Sequence, residues 1–210
     1  MGLTKSLIFK RWLISFALLA YFVIGYLLIN HVSAWRLAHD VENSWDRAIS
    51  FVPVFILIYL TGYIFVFLPT LLVKDYVLFK RGALSVAIIL TISFICFILY
   101  PVKVNRPELI GQSVWTPMFE LLRSVDGPYN GLPSLHVSLA VISALICYAY
   151  RPRYVWLVVW ALLIAASALF VKQHTVWDVV TGLLLGCAVY YFGVNRRRSN
   201  IKMAQSSNKY

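Results

Sequence analysis

The chain has 210 residues, of which 61% are hydrophobic and 13% are charged, and its formal net charge is +11. Soluble domains contain roughly 45–50% apolar and about 25% charged residues, so this composition excludes an ordinary soluble domain and favours a polytopic membrane protein. The three cysteines all fall inside apolar segments, which argues against a disulfide framework or a zinc site.

Six apolar segments, taken in chain order, predict six membrane-spanning helices. They cover residues 12–30, 51–73, 83–100, about 135–150, 155–171 and 176–194. Each can cross about 30 Å of hydrocarbon at about 1.5 Å per residue, the fourth only just. The two prolines of the second segment are expected to kink it. We therefore predict an all-α, six-helix transmembrane bundle that forms a single domain over residues 1–198, followed by a disordered cytoplasmic tail over residues 199–210.

The loop between the third and fourth segments contains a shorter helical pattern. Within residues 113–125, five apolar side chains recur at helical spacing: Trp115, Met118, Phe119, Leu122 and Val125. This pattern predicts a short amphipathic helix that lies in the membrane interface. Plain packing of a loop is the alternative.

The distribution of charge predicts the orientation of the bundle. With the N-terminus placed in the cytoplasm, 13 of the 19 basic residues fall on the inner side, together with one of the 8 acidic residues, Asp75. This distribution follows the positive-inside rule, so both termini are expected in the cytoplasm and the chain in the plasma (inner) membrane. The outer face is then periplasmic or extracellular in a bacterium and lumenal in a eukaryote. Basic residues facing anionic lipid account for the net charge, so the expected partner is the bilayer and not nucleic acid.

The same topology brings most of the remaining polar groups to the outer ends of four helices. Ionisable groups at the membrane surface are candidates for function by default. The candidates are Lys103 and Arg106 after the third segment, Ser134 and His136 at the start of the fourth, Ser167 and Lys172 near the end of the fifth, and His174 and Asp178 in the first turns of the sixth.

Two features within this set indicate an oxyanion site. His174 and Asp178 are four residues apart, so on a helix the carboxylate can accept a hydrogen bond from one ring nitrogen and leave the other nitrogen free. The start of the fourth helix offers free N–H groups and the Ser134 hydroxyl, beside the positive charges of Lys103 and Arg106. Phosphate is the oxyanion expected at a membrane surface. The alternatives are a structural hydrogen bond for the His–Asp pair and interfacial or lipid-headgroup anchors for the other groups.

Three short stretches carry a family resemblance: Arg106-Pro107, residues 133–136 (PSLH) and residues 167–178 (SALFVKQHTVWD). They resemble the three motifs of the type-2 phosphatidic acid phosphatase superfamily, which contains lipid phosphatases and phosphotransferases and shares its site with vanadium haloperoxidases. The similarity covers residues 100–186, approximately, and the six-helix layout agrees with it.

The resemblance implies a role for each candidate residue. In the family's mechanism the histidine of the third motif attacks phosphorus, a role that falls on His174, oriented by Asp178. The histidine of the second motif protonates the leaving oxygen and later activates water, a role that falls on His136. The phosphoryl oxygens are then held by a remaining group of residues: Lys103, Arg106, Ser134, Leu135 through its backbone N–H, Ser167 and Lys172.

Three positions depart from the usual motifs. Leu99 stands where the first motif has a lysine, Leu135 replaces the glycine of the second motif, and Ala168 stands where the third motif has an arginine. Lys172 is a candidate to replace the missing arginine. The pattern resembles a divergent branch that includes sphingolipid-type phosphotransferases and bacterial membrane phosphatases with a PSLH second motif.

The sequence therefore predicts a metal-independent lipid phosphatase, with a lipid phosphate as its substrate. No metal or other cofactor is expected, because the sequence has no acid-rich cluster to hold magnesium. A phosphotransferase that passes the phosphoryl or head group to another lipid is the first alternative, and a non-catalytic lipid-binding or transport protein is the second. The lipid itself stays open between phosphatidic acid, phosphatidylglycerol phosphate, a polyprenyl diphosphate and a sphingolipid, and so does the oligomeric state.

Overall fold

The computed structural model of the chain describes residues 5–108 and 113–195. The predicted tail, residues 199–210, lies outside the described residues. Nine α-helices occupy the described part, numbered α1 to α9 in chain order: Lys5–Ser33, Ser44–Ala48, Ile56–Phe65, Leu68–Leu72, Tyr76–Leu99, Thr116–Val125, Leu135–Tyr150, Val155–Phe170 and Val176–Tyr190. Short 3₁₀ turns, Pro53–Phe55 and Pro152–Tyr154, lead into α3 and α8, and a π turn, Tyr191–Asn195, extends α9.

The predicted all-α fold is confirmed, and in the described residues four helical segments are long and apolar enough to cross a membrane. These segments are Lys5–Ser33, Tyr76–Leu99, Pro152–Phe170 and Val176–Asn195. Two shorter apolar segments, Pro53–Phe65 and Leu135–Tyr150, correspond to the second and fourth predicted spans. The count of six spans stays a prediction.

The second predicted span is two helices instead of one kinked helix. Helix α3 ends at Phe65, and α4 begins at Leu68 with Pro69 in its first turn. A proline has no N–H to donate and its ring crowds the preceding turn, so a helix commonly ends just before it. The interruption lets α3 pack on α8 and α7 while α4 turns towards α7 and α1.

Helix α7 is the centre of the bundle and packs against α9, α8 and α5. Its inner residues are almost completely buried, including Ile142, Ala144, Ile146 and Cys147. Helix α1 lies at the periphery, because it packs mainly on α5 and leaves most of its apolar surface exposed. Exposed apolar surface of this kind suits a helix that faces lipid.

Small residues bring α7 and α9 into close contact. A side-chain carbon added at Gly182 would lie 2.7 Å from the carbonyl oxygen of Ser134, and one added at Gly186 would lie 3.0 Å from that of Ser138. Two glycines four residues apart form the small-xxx-small pattern that allows membrane helices to approach closely. The start of α7 is therefore held against the first turns of α9.

The two short helices of the long loops lie near the end at which α7 and α9 begin. Helix α6 falls within residues 113–125 as predicted, and it buries Phe119 and Leu122 in the core. Its place in the membrane interface stays a prediction. Helix α2 was not predicted, although Asn43 and Asp46 form a reciprocal capping box that starts it.

The substitution Gly182→Ala should lower the free energy of unfolding by about 1–3 kcal/mol, because the added methyl group meets a backbone carbonyl that cannot rotate away. Thermal unfolding of the protein in detergent micelles measures this change. Ala188→Val adds two methyl groups at an exposed position of the same helix and should leave the unfolding temperature nearly unchanged. Equal effects of the two substitutions would contradict the role of Gly182.

Candidate active site

A cavity of about 650 Å³, which we call the larger cavity, lies between α1, α3, α4, α5 and α7. Both His136 and His174 line it, at the end where α7 and α9 begin, and we call this end the histidine end. Polar side chains cluster there: Tyr26, Tyr59, Tyr63, Asp126, Asn130 and the two histidines. The structure thus places the two histidines predicted from the sequence around one space.

His136 is held by α3 through both stacking and a hydrogen bond. Its ring stacks on Tyr59 with centroids 4.0 Å apart and meets the edge of Tyr63 at 5.1 Å. Its Nε2 lies 2.7 Å from the carbonyl oxygen of Tyr59. A carbonyl oxygen only accepts, so Nε2 carries the proton and Nδ1 is left to exchange a proton with a ligand.

Gly62 provides the space for this ring. A side-chain carbon at Gly62 would lie 2.2 Å from Nε2 of His136, closer than any two such atoms can approach. The absence of a side chain at this position of α3 therefore decides where the imidazole lies.

His174 lies in the turn between α8 and α9, and not on α9 as the sequence suggested. Helix α9 begins at Val176, because the Thr175 side chain caps it by accepting from the N–H of Asp178. Even so, Nδ1 of His174 lies 3.4 Å from Oδ2 of Asp178, which is fully buried. That distance exceeds a usual N–H···O hydrogen bond.

The Asp178 carboxylate caps the start of α9, a role that was not predicted from the sequence. Its Oδ2 accepts from the N–H of Thr175 at 2.8 Å, which completes a capping box at the start of α9. Its Oδ1 is buried and has no hydrogen-bond partner, and neither has Nδ1 of His174. Catalytic hydrogen bonds are often long without substrate, so a small rotation of either side chain would form the predicted pair.

A second, smaller cavity of about 250 Å³ meets the first at His174, which lines both. Three cationic side chains line this smaller cavity: Arg47, Arg106 and Lys172. Arg106 and Lys172 were predicted as phosphate ligands, whereas Arg47, on α2, was not predicted. Two carboxylates, Glu42 and Asp46, also line the cavity and offset part of the positive charge.

The two predicted cations are bonded to the protein's own oxygens. Arg106 donates to the carbonyl oxygens of Asp126 at 2.6 Å and Gly127 at 3.2 Å, and its guanidinium lies 3.4 Å from the Asp126 carboxylate. The Lys172 ammonium donates to the carbonyl oxygen of Asp46 at 2.5 Å, and its backbone adopts φ 55° in the turn before His174. These bonds orient both cations beside His174.

Three predicted phosphate ligands are not brought to either cavity through their side chains. Lys103 is exposed and lines neither cavity. The Ser134 hydroxyl accepts from the N–H of Val137 at 3.3 Å, because serine at a helix start caps its own helix. The Ser167 hydroxyl donates to the carbonyl oxygen of Ile164 at 2.7 Å, as serine commonly does inside a helix. The Leu135 side chain does line the larger cavity, and its N–H belongs to the first turn of α7, where N–H groups have no intrahelical partner.

The positions that depart from the family motifs have clear structural settings. Leu99, at the end of α5, is 74% exposed and lines neither cavity. Ala168 is fully buried in α8, and its carbonyl oxygen accepts from the N–H groups of Gln173 at 3.1 Å and His174 at 3.3 Å. The Ala168 backbone therefore shapes the turn that carries His174.

Asp46 holds the His174 turn from outside, a role that sequence reasoning missed. Its Oδ1 accepts from the N–H of Val176 at 2.7 Å, and its carbonyl oxygen accepts from Lys172, so it is bonded on both sides of His174. Its side chain is also bonded to the N–H of Asn43, its partner in the capping box. The capping pattern could have predicted α2, but the contact with a turn 130 residues away could not be found by spacing.

The geometry is that of an all-α protein with membrane-length helices and a polar, histidine-lined cavity at one end of its bundle. The family model of the PAP2 superfamily matches residues 55–202, which include α3 to α9, and the chain belongs to this superfamily. The match confirms the resemblance seen in the three motifs. None of the curated proteins matches the chain significantly.

The substitution Asp46→Ala should loosen the His174 turn, because the N–H of Val176 loses the carboxylate oxygen that it donates to and α2 loses its capping box. We expect amide hydrogen exchange in residues 172–176 to become roughly tenfold faster or more. Asp46→Asn keeps one side-chain oxygen and should have a smaller effect. Asp40→Ala, at an exposed position of the same loop, is the matched control and should leave exchange in the turn unchanged.

Proposed function

We propose that the protein is an integral membrane lipid phosphatase that hydrolyses a lipid phosphate monoester or diphosphate through a phosphohistidine intermediate. The observation that carries the proposal is the position of His174, where a cavity lined by cations meets a long cavity with apolar walls. A lipid phosphate has the same two parts, an anionic head and a hydrocarbon tail. Membership of the PAP2 superfamily supports the assignment to phosphatase-type chemistry.

In the first step His174 attacks the phosphorus of the substrate. Because Nδ1 faces Asp178, the attacking atom is Nε2. An N–P bond forms, the P–O bond to the lipid breaks, and the leaving oxygen takes a proton from Nδ1 of His136, whose ring enters this step doubly protonated, with Nε2 still donating to Tyr59. Asp178 stabilises the positive charge that develops on the His174 ring.

In the second step water replaces the protein on phosphorus. His136, now without the proton it gave away, accepts a proton from the water as it attacks. The N–P bond breaks, inorganic phosphate leaves, and both histidines return to their starting states. Histidine suits both transfers because an imidazole donates a proton when it is protonated and accepts one when it is neutral.

The cations of the smaller cavity offset the charge of the phosphoryl group. Arg106 and Lys172 would exchange carbonyl partners for phosphate oxygens, which form stronger, charge-assisted hydrogen bonds with them. Arg47 adds a third positive charge, and the free N–H groups at the start of α7 add dipoles. This set takes the place of the motif cations that are missing at positions 99 and 168.

The charge distribution along the sequence supports an orientation for this site. Both termini lie in the cytoplasm in the proposed arrangement, so that the helix ends that carry His136 and His174 face the outer side of the plasma membrane. The lipid then presents its phosphate from the outer leaflet.

The proposal predicts that His174→Ala lowers hydrolysis of lipid phosphates by about a thousandfold or more, because the nucleophile is lost. His136→Ala should lower it by roughly a hundredfold or more. Phosphate release from purified protein with a panel of lipid phosphates measures both, with activity expected to persist in EDTA and to fall with vanadate. His31→Ala is the matched control, because His31 is exposed and lines neither cavity.

The order of the steps can be tested by trapping the intermediate. With p-nitrophenyl phosphate, whose leaving group needs no acid, His136→Ala should still form phosphohistidine but hydrolyse it slowly. Protein denatured and kept at alkaline pH, where the N–P bond of phosphohistidine is stable, should therefore carry phosphate at position 174, detected by mass spectrometry. Full activity of His174→Ala would contradict the mechanism, and transfer of phosphate to an added lipid alcohol instead of water would identify a phosphotransferase.

Gly62→Ala should lower hydrolysis roughly a hundredfold, since the added methyl group displaces the His136 ring from its place. Gly25→Ala is the matched control. Its added methyl group would lie 2.4 Å from the Phe94 ring, but Gly25 lines neither cavity. Both variants should lose stability in thermal unfolding, but only Gly62→Ala should lose turnover. Similar turnover by the two variants would argue against a role for His136.

A further inference from the structure

The larger cavity extends far beyond the histidine end. Three of its helices line it over similar lengths, from Leu27 back to Ser15 on α1, from Leu90 back to Phe79 on α5, and from Leu135 to Ile146 on α7. These stretches advance by 12, 11 and 11 residues, or about 16–18 Å at about 1.5 Å per residue. One leaflet of a bilayer has nearly the same depth, since the whole hydrocarbon core is about 30 Å thick.

The walls of the cavity change from polar to apolar along this length. Past the histidine end they consist mostly of aliphatic and aromatic side chains, including Leu18, Phe22, Val66, Val86 and Leu139. Apolar walls of this kind favour a hydrocarbon chain over water.

Ser15, Pro69 and Thr70 line the far end of the cavity, and their oxygens are already bonded to other groups of the protein. The Ser15 hydroxyl lies 2.7 Å from that of Thr70, and Arg11 donates to the carbonyl oxygens of Pro69 and Thr70. Because these groups bond with one another, the far end offers little attraction to a second polar head. The histidine end is therefore the end of the cavity at which a polar head group can bind, and the far end is where a tail would stop.

The cavity lies where neighbouring helices diverge. Helix α1 packs mainly on α5, whereas α3 packs mainly on α8 and α7, so α1 and α3 form opposite walls. A lipid that diffuses in the bilayer could slide between these two walls without leaving the hydrocarbon.

We infer that the larger cavity holds one hydrocarbon tail of the lipid substrate lengthwise inside the bundle, and that its depth selects tails of ordinary bilayer length. The inference rests on the proposed function for the chemistry at the histidine end. It differs from the simpler expectation that the tail stays among the surrounding lipids. Because a polyprenyl chain is much longer than one leaflet, the cavity favours acyl-chain lipid phosphates.

Two small residues keep the far half of the cavity open. Gly82 and Ala83 line it on α5, and a side-chain carbon at Gly82 would already meet Ile146 at 2.7 Å. A large side chain at Ala83 would occupy space that the end of the tail needs. Leu84, the next residue, is 54% exposed and lines neither cavity.

The test compares Ala83→Trp with the control Leu84→Trp across lysophosphatidic acids with butanoyl, octanoyl and hexadecanoyl tails. Ala83→Trp should lower kcat/KM for the hexadecanoyl substrate by roughly tenfold or more and leave that for the butanoyl substrate near the wild-type value. Leu84→Trp should change neither. Retained turnover of the butanoyl substrate also shows that the variant is folded. An equal change for all tails, or no change for any, would overturn the inference.

A second measurement does not depend on turnover. Phosphatidic acid with a photoreactive group at the end of its tail is cross-linked to the His174→Ala variant in nanodiscs. Labels at the far end, on α4 or the first half of α5, support the inference, whereas labels confined to exposed residues such as Leu84 overturn it. If the wild-type protein hydrolyses no lipid phosphate but the far-end labels are still found, the proposed function is contradicted and the inferred tail site is supported.

Discussion

The site depends on one contact, the close packing of the start of α7 on the start of α9. The N–H of Ser134 donates to the carbonyl oxygen of Asp178 at 3.0 Å, and Gly182 lies directly against the carbonyl of Ser134. The two helices therefore approach backbone to backbone, at a distance that a side chain would forbid. His136 follows Ser134 by two residues, and His174 precedes Asp178 by four, so this contact brings both rings to one cavity.

Around that contact, hydrogen bonds connect the two cavities. Tyr26, from α1, donates to the carboxylate of Asp126, and Arg106 bonds to the same residue through its carboxylate and its carbonyl. Tyr26 and Asp126 line the larger cavity, whereas Arg106 lines the smaller one. In the proposed function, a phosphate that draws Arg106 away would leave Asp126 with Tyr26 as its partner, so binding of the head in one cavity would be coupled to the polar end of the other.

Much of this arrangement could be predicted from the sequence, because hydropathy, charge and local motifs report on short-range physics. The helices, the family and the placement of His136, His174 and Asp178 near one another follow from such signals. The competing local bonds were harder to foresee. Thr175 caps the start of α9, so this helix begins after His174 and does not include it. The hydroxyls of Ser134 and Ser167 are bonded within their own helices.

Contacts between distant parts of the chain could not be predicted from the spacing of residues along the sequence. Asp46 bonds to a turn that follows it by 130 residues, and nothing in the local pattern around it names that partner. The same holds for Gly62, whose missing side chain matters only because the His136 ring from another helix lies there. Lys103 was predicted to bind phosphate because it lies close in sequence to Arg106-Pro107. A residue near a motif in sequence can still point away from the site, and the Lys103 side chain is exposed.

Because α1 packs at the periphery, the wall that it forms in the larger cavity is separate from the helices that position the two histidines and Asp178. Residues 55–202 match the superfamily and include both histidines and Asp178, whereas α1 precedes the matched region and forms one wall of the larger cavity. Because α1 rests chiefly on α5, its cavity-facing side chains can vary without disturbing the contact between α7 and α9. Evolution or engineering could therefore change the apolar residues of this first helix, with Tyr26 kept, to reshape the larger cavity while the packing of α7 on α9 is preserved.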